Sequence, residues 1–505
     1  MKYALTNGVI LDGSKDMQPQ RGKTVLTDGE IITAIVQDDA DLNGYTVIDL
    51  QNRYLMPGLI NMHVHLAGNG KPQKKQRDNE ALVKKIMASG LTRAVAYRMV
   101  AGFAKLELLS GVTTIRTVGG LGSFDTRLRD EIAAGCRVGP RILAANQGIS
   151  VPGGHMAGSV AVAAHSNEEA LQVLAQAESE GVDLVKLMIT GGVLDAKEKG
   201  VPGALKMPPE MVKAVCDKAH ADGYTVAAHV ESPEGVKVAL QNGVDSIEHG
   251  AKPDDEMIEL FKRRGAFLCT TLSPALPYAL FDRSVSNASE VEQYNGNVVF
   301  EGIIECAKAA LANGIPVVLG NDVGCPWITQ YDFWRELFYF HKYTGVSNAF
   351  ALYTATKNAA QLAGLGDVTG AVAPGLCADL IVTKDNPLDD LRALRLPPLI
   401  LQPVVENAVR HGFVAVDDRR VSISIRQDDK RAYIRVSDQG HGFPPEVLKK
   451  LEDPNDPTYT GLFNVRKRLR SIYGEQCDFH IDSNDKGSTV SFSLPLIPPE
   501  MPDAE

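Results

Sequence analysis

Residues Leu55–Leu66 read LMPGLINMHVHL, an apolar run that closes on two histidines two positions apart. Alternate residues of a β-strand point to the same face, so His63 and His65 can close on one metal ion. Taken alone, an HxH pair is a weak signal, and the bland reading of any single histidine is a satisfied core or loop residue. The weight comes from residues further along the chain. Lys186 lies inside VDLVKLMI, where a bare ammonium is costly to bury. His229 in YTVAAHV, His249 in DSIEHG and Asp322 in IPVVLGND each close a further apolar run. Six ligand-type residues at matching places in successive runs predict a metal site.

Those runs belong to a rhythm. From Leu55 to about Ala363, short apolar segments (VTTIRTVG, RILAANQG, VDLVKLMITGG, YTVAAHV, DSIEHG, AFLCTTL, IPVVLGND) alternate with helical stretches such as NEEALQVLAQAESEG. Repeated βα units predict a parallel sheet, and about eight of them favour a closed (β/α)8 barrel with its chemistry at the C-terminal strand ends. Residues 1–56 and 365–395 have a different texture, short β-like runs between Gly and Asp turns. The charged stretch Lys71–Arg98 reads as helix with a solvated face near the mouth of the site.

Composition sets bounds. The chain has 505 residues, 44% hydrophobic and 23% charged, with a net charge of −10. That length predicts more than one domain. The acidic balance without a long basic block argues against nucleic acid as partner. No run of 18 or more apolar residues predicts a membrane span. The seven cysteines are scattered without a CxxC, as expected of reduced thiols in a cytoplasm. The partners expected are small molecules, with a homo-oligomer as an open possibility.

The ordered set MPGLINMHVHL, strand lysine, two later histidines and last-strand Asp resembles the amidohydrolase superfamily, in the branch of imidazolonepropionases and metal-dependent Xaa-Pro dipeptidases. TTIRTVGG, GPRI, Gly153–His155 and the GND of the last strand fit the same pattern over about residues 1–395. The resemblance implies an α/β fold: a distorted (β/α)8 TIM barrel over 57–364, with a small β-sandwich from 1–56 and 365–395. It implies a binuclear centre, usually zinc. His63, His65 and Asp322 would hold the first ion and His229 and His249 the second, with carboxylated Lys186 bridging them. Asp322 would be the catalytic proton carrier, and the reaction hydrolysis of an amide in a small substrate such as a dipeptide or N-acyl amino acid. His155, in SVPGGHMAG, is a candidate substrate contact or, equally, a loop histidine held by backbone.

A second module starts near residue 396. QPVVENAVRHG (Gln402–Gly412) is followed by SDQGHG (Ser437–Gly442), TGLFNVRKRL (Thr460–Leu469) and KGSTVSFSLP (Lys486–Pro495). A lone DxGxG is weak, but four such elements in order over residues 396–497 resemble the ATP-binding domain of sensor histidine kinases, an α/β sandwich of Bergerat type. The resemblance implies that Asn407 binds Mg2+ and Asp438 accepts from the adenine amino group of ATP. Gly440, Gly442, Gly461 and Leu462 would shape the nucleotide loop and lid, with Arg410, His411, Gly487 and Thr489 completing the site. Residues 498–505 read as a tail.

Two departures bear on the second module. Pro403 stands where hydrolysing relatives of this fold carry Glu, so vigorous ATP hydrolysis is not expected. The residues before Leu396, DNPLDDLRALR, hold no helical hairpin with a phosphoacceptor histidine. The first module also lacks a final strand pair of its sandwich, so the joint near residue 395 reads as a splice of two truncated modules, whether natural, engineered or an error in the sequence. The leading expectation is a metal-dependent amidohydrolase carrying a nucleotide-binding domain. The alternative is a nucleotide-binding signalling protein that uses the barrel as a sensor.

Overall fold

A computed structural model describes residues 1–71, 78–394, 408, 420–428, 431–440, 442–443, 462, 465–466, 469, 477–484 and 487–495. The chain divides into two compact units, Met1–Leu396 and Pro397–Glu505. Asn407, Arg410, His411, Gly461 and the tail 498–505 lie outside the described residues.

In the first unit, eight strands follow one another around a ring: β1 Leu59–Val64, β2 Val112–Thr117, β3 Arg141–Ala144, β4 Leu184–Met188, β5 Thr225–Val230, β6 Ser246–His249, β7 Phe267–Thr270 and β8 Val317–Leu319. β1, β2 and β3 pair in parallel, as do β4 through β8. Two sets of backbone bonds join the halves. Asp183 N donates to Ala144 O at 2.8 Å beside β3 and β4, and Asp322 N donates to His63 O at 3.0 Å beside β8 and β1. The result is a TIM-barrel-like parallel sheet. β1, β4 and β6 are buried at every residue; in β1 and β4 that burial goes with a mostly apolar run rather than an alternating one, while β6 is mostly polar and its side chains are held by hydrogen bonds.

The crossover helices start where local chemistry starts them. Ser166, Ser232 and Asp254 each cap a helix by accepting from the third residue on, and Ser289 forms a full capping box with Glu292. Such caps satisfy amides that have no partner inside the helix. In the stretch read as a solvated face, helices run over Asn79–Met87 and Gly90–Leu109; the first buries none of its residues.

Two further sheets lie in this unit. One is formed by Lys2–Thr6, Lys23–Asp28, Ile31–Gln37 and Thr46–Asp49, the other by Val9–Ile10, Tyr54–Pro57 and Leu380–Thr383. Ile10, Val25, Ile32, Leu50, Leu55 and Val372 make a small common core between segments from both ends of the unit. Among the described residues, no helix is long and apolar enough to cross a membrane.

In the second unit, β9 Val421–Gln427, β10 Arg431–Asp438, β11 Asp478–Asn484 and β12 Gly487–Pro495 form an antiparallel sheet in the order β9-β10-β12-β11. Ile434, Val436, Val490 and Phe492 share a core with Ala408, Leu462, Val465 and Leu469. The last three recur at helical spacing on one face.

Candidate metal centre

Each metal-type residue sits where a barrel strand ends or faces inward. His63 and His65 come from the end of β1, Lys186 from β4, His229 from β5 and His249 from β6, while Asp322 follows β8. His249 and Asp322 adopt left-handed backbone angles, φ 68° and 54°. Non-glycine residues rarely do so, and such strain gathers at functional sites. Here it turns the chain out of the strand while leaving the side chain over the barrel.

The structure brings these side chains together. His65 Nε2 lies 3.3 Å from Asp322 Oδ1 and His63 Nε2 lies 3.6 Å from the same oxygen. The His63 and His249 rings are 4.9 Å apart, and those of His229 and His249 4.7 Å. Two donors on one tetrahedral ion at about 2.0–2.1 Å lie about 3.3–3.4 Å from each other, so the spacing about Asp322 suits a shared ion. Asp322 Oδ1 and Lys186 Nζ are buried without a hydrogen-bond partner. Two orphaned polar atoms of this kind would be costly without a further ligand or a chemical change.

The histidines are held for ligation. His63 Nδ1 meets Glu248 Oε2 at 2.7 Å, His65 Nδ1 meets Gly119 O at 2.9 Å, His229 Nε2 meets Gly191 O at 3.3 Å and His249 Nδ1 meets Thr271 Oγ1 at 2.6 Å. A carboxylate or carbonyl oxygen only accepts, so in the first three rings the tethered nitrogen carries the proton and the other keeps its lone pair. Burial lowers the pKa of all four rings, which keeps them neutral, the form that binds metal. Burial also lowers Lys186 to about 8.

Further residues complete the geometry, and the sequence pattern did not single them out. Glu248 binds His63 with one oxygen and Arg116 Nη2 with the other at 2.7 Å, and Ser246 Oγ also donates to it. Arg116 is held in turn by Met62 O at 2.7 Å. His63, Glu248 and Cys269 stand close enough to hold an ion. Glu248 already meets His63, Arg116 and Ser246, however, and burial holds the Cys269 thiol well above its ordinary pKa, which disfavours the thiolate this trio would need to hold an ion. Arg116 in VTTIRTVG and Glu248 in DSIEHG are charges inside apolar runs, the same signal that marks Lys186.

Glu231 follows His229 by two positions, accepts from Val193 N at 3.1 Å and stands with His229 and His249 in a second group able to hold an ion. Burial first, then Asp322 and Asp195, push it up to about 8. His155 stacks on His229 with ring centroids 4.0 Å apart and planes 3° apart, and its Nδ1 meets Asp195 Oδ2 at 2.5 Å. His63, His65, His155, Lys186, His229, Glu231, His249 and Asp322 all line a cavity of about 70 Å³, walled otherwise by Met156, Met188, Val193, Leu194, Tyr278 and neighbouring apolar residues.

In the second unit, Asp438 ends β10. Its Oδ1 accepts from Gly440 N at 2.9 Å and Ser488 N at 3.3 Å. Gly442 and Gly487 take positive φ beside it, and Thr489 Oγ1 meets Ser437 Oγ at 2.9 Å. Leu462 is buried in the core.

Residues 54–412 match the Amidohydrolase family, and residues 395–498 match the histidine kinase-, DNA gyrase B- and HSP90-like ATPases. The chain belongs to the amidohydrolase family and carries an ATPase-type domain after it in sequence. A prolidase-like protein from Bifidobacterium longum is 35% identical with a TM-score of 0.68, over 78% of this chain and 91% of that one. A Xaa-Pro dipeptidase with methionine in its active site is 29% identical with a TM-score of 0.69, over 78% of this chain and 97% of that one. The sensor protein LytS of Bacillus subtilis is 39% identical over 112 residues, which are 21% of this chain and 19% of LytS.

Proposed function

We propose that the barrel is a binuclear zinc hydrolase that cleaves the C–N bond of a small amide, a dipeptide or an N-acyl amino acid. The observation that carries this reading is the arrangement of rings: four neutral histidines with a nitrogen apiece left for ligation surround two buried polar atoms that have no partner. His63, His65 and Asp322 would hold one ion, and His229 and His249 the other. Lys186 would lie between them as its carbamate, which replaces an unpaired buried ammonium with anionic oxygen ligands. When bound, the ions supply Lewis acidity and a water acidic enough to ionise near neutral pH. Asp322 would hold the ion through Oδ1 and take a proton on its other carboxylate oxygen, returning it to the leaving nitrogen. The apolar wall of Met156, Val193, Leu194 and Tyr278 limits water around the reacting bond. We assign to residues 1–56 and 365–395 the role of a β-sandwich that braces the barrel.

The second unit binds ATP with Mg2+ in this reading. Asp438, fixed through Oδ1 by two backbone amides, offers Oδ2 to the adenine amino group, and Gly440 and Gly442 let the loop pass close to the nucleotide. Elemental analysis of the purified protein, joined to a hydrolysis screen of dipeptides and N-acyl amino acids, tests the first assignment. Two zinc ions per chain with amide cleavage is the expected result, and no bound metal after expression in zinc overturns it.

A further inference from the structure

We propose that Glu336 and Gly296, both outside the cavity, fix the loop after β7 as a wall that selects the substrate by the size of its side chain. The proposal rests on the hydrolase reading and deepens it by naming what sets selectivity in that site.

The wall runs from Thr271 to Tyr278. Pro274, Ala275 and Tyr278 line the cavity, and Thr271 Oγ1 meets His249 Nδ1 at 2.6 Å. Leu272 and Ser273 stand between the end of β7 and the short helix Leu276–Leu280. Their amides both go to one side chain. Glu336, from the helix Phe333–Thr344, accepts from Leu272 N at 2.6 Å through Oε1 and from Ser273 N at 2.8 Å through Oε2. Ser273 Oγ also donates to Oε2. Glu336 is 0% exposed, and among the described residues neither amide has another acceptor. Buried amides are rarely left unpaired, so the loop moves only if Glu336 moves with it.

The far end of the wall is held by contact. The helix Glu290–Ala312 passes so close that a Cβ on Gly296 would lie 2.6 Å from the Tyr278 Cβ and 2.9 Å from its carbonyl carbon. Glycine inside a helix weakens it; here it admits the Tyr278 backbone. Ile303 of the same helix lines the cavity as well. Held at both ends, the wall has one position. In an apolar pocket one methylene of substrate is worth about 10–200-fold, so a displaced wall is read first in selectivity.

The test uses the zinc-loaded full chain with two pairs of compounds: leucyl-alanine and glycyl-alanine, N-acetylleucine and N-acetylglycine. In the pair that is cleaved, wild type should favour the leucine member in kcat/KM by about tenfold or more, because that side chain reaches the wall. Glu336→Gln keeps the shape but turns an NH2 group toward one of the three donors. Gly296→Ala presses on Tyr278 from the other side. Each should cut the preference about fivefold or more by raising KM for the leucine member, with kcat, the glycine member and zinc content near wild type. A merely structural role would lower kcat for both members alike and leave KM unchanged. Ser273→Ala, which removes one donor and keeps both amides, should show a smaller shift in the same sense. If Glu336→Gln does not fold, Gly296→Ala and Ser273→Ala decide. Equal effects on both members, an unchanged preference in either folded variant, loss of zinc, or a wild type that does not distinguish the members overturns the proposal. Zinc-loaded wild type that cleaves none of the compounds overturns the hydrolase reading itself, and this inference with it.

Discussion

Glu248 joins His63 to Arg116: one carboxylate oxygen lies 2.7 Å from His63 Nδ1 and the other 2.7 Å from Arg116 Nη2. Glu248 is 0% and Arg116 5% exposed. The pair therefore fixes the tautomer and tilt of a ring without touching the centre.

Glu248→Gln should weaken zinc binding about 10–100-fold, the usual cost of losing such a partner. It also leaves the Arg116 charge uncompensated, which costs about 3–5 kcal/mol of stability. Chelator competition reads the first effect and thermal unfolding the second. Wild-type zinc affinity in a folded variant would refute the orienting role.

Lys186→Ala should lose metal and hydrolysis together. The Nζ is buried without a partner, and truncation removes the group on β4 assigned to both ion positions. Added short-chain carboxylates should restore part of the activity, because they supply a bridging anion. Full activity and full zinc content in Lys186→Ala would end the bridging assignment.

Gly320→Ala tests the close packing of β8 on β1. A Cβ at Gly320 would fall against the Cβ of His63. Overpacking of this kind costs about 1–3 kcal/mol, and here the strain moves a ligand. Lower zinc affinity and a lower unfolding temperature are expected together; a variant unchanged in both would show that the strand contact is slack.

Asp438→Asn should weaken ATP binding about tenfold or more, since with the amide oxygen held by the Gly440 and Ser488 amides an NH2 group faces the adenine amino group in place of the Oδ2 acceptor. Amide hydrolysis should be unaffected if the modules act independently. Wild-type protein incubated with labelled ATP should show no acid-labile phosphate, because phosphoryl transfer depends on a positioned acceptor. Isothermal titration and phosphate labelling check the two statements.

The alternation of apolar runs and helices is local information, and so is the inward face of each run. A strand buried on both sides is largely apolar, and several crossover helices start at a Ser or Asp cap, so most barrel strands and these caps are written into short windows of sequence. His63 and His65 share a face because a strand repeats every two residues, whatever surrounds it. What the sequence could not carry is which strands become neighbours. Glu248 meets His63 across 185 residues of chain and Arg116 across 132, and both contacts exist only because the ring closes β1, β2 and β6 around one interior. The same holds for Glu231: two residues past His229 it reads as one more polar strand end. Only the folded chain, which brings the Val193 amide to its oxygen and Asp195 and Asp322 near it, makes it an acid that lines the cavity. Spacing along the chain determines the face a side chain occupies. Its partners, and therefore its chemistry, are decided by tertiary closure, because electrostatic and hydrogen-bond energies depend on distance in space.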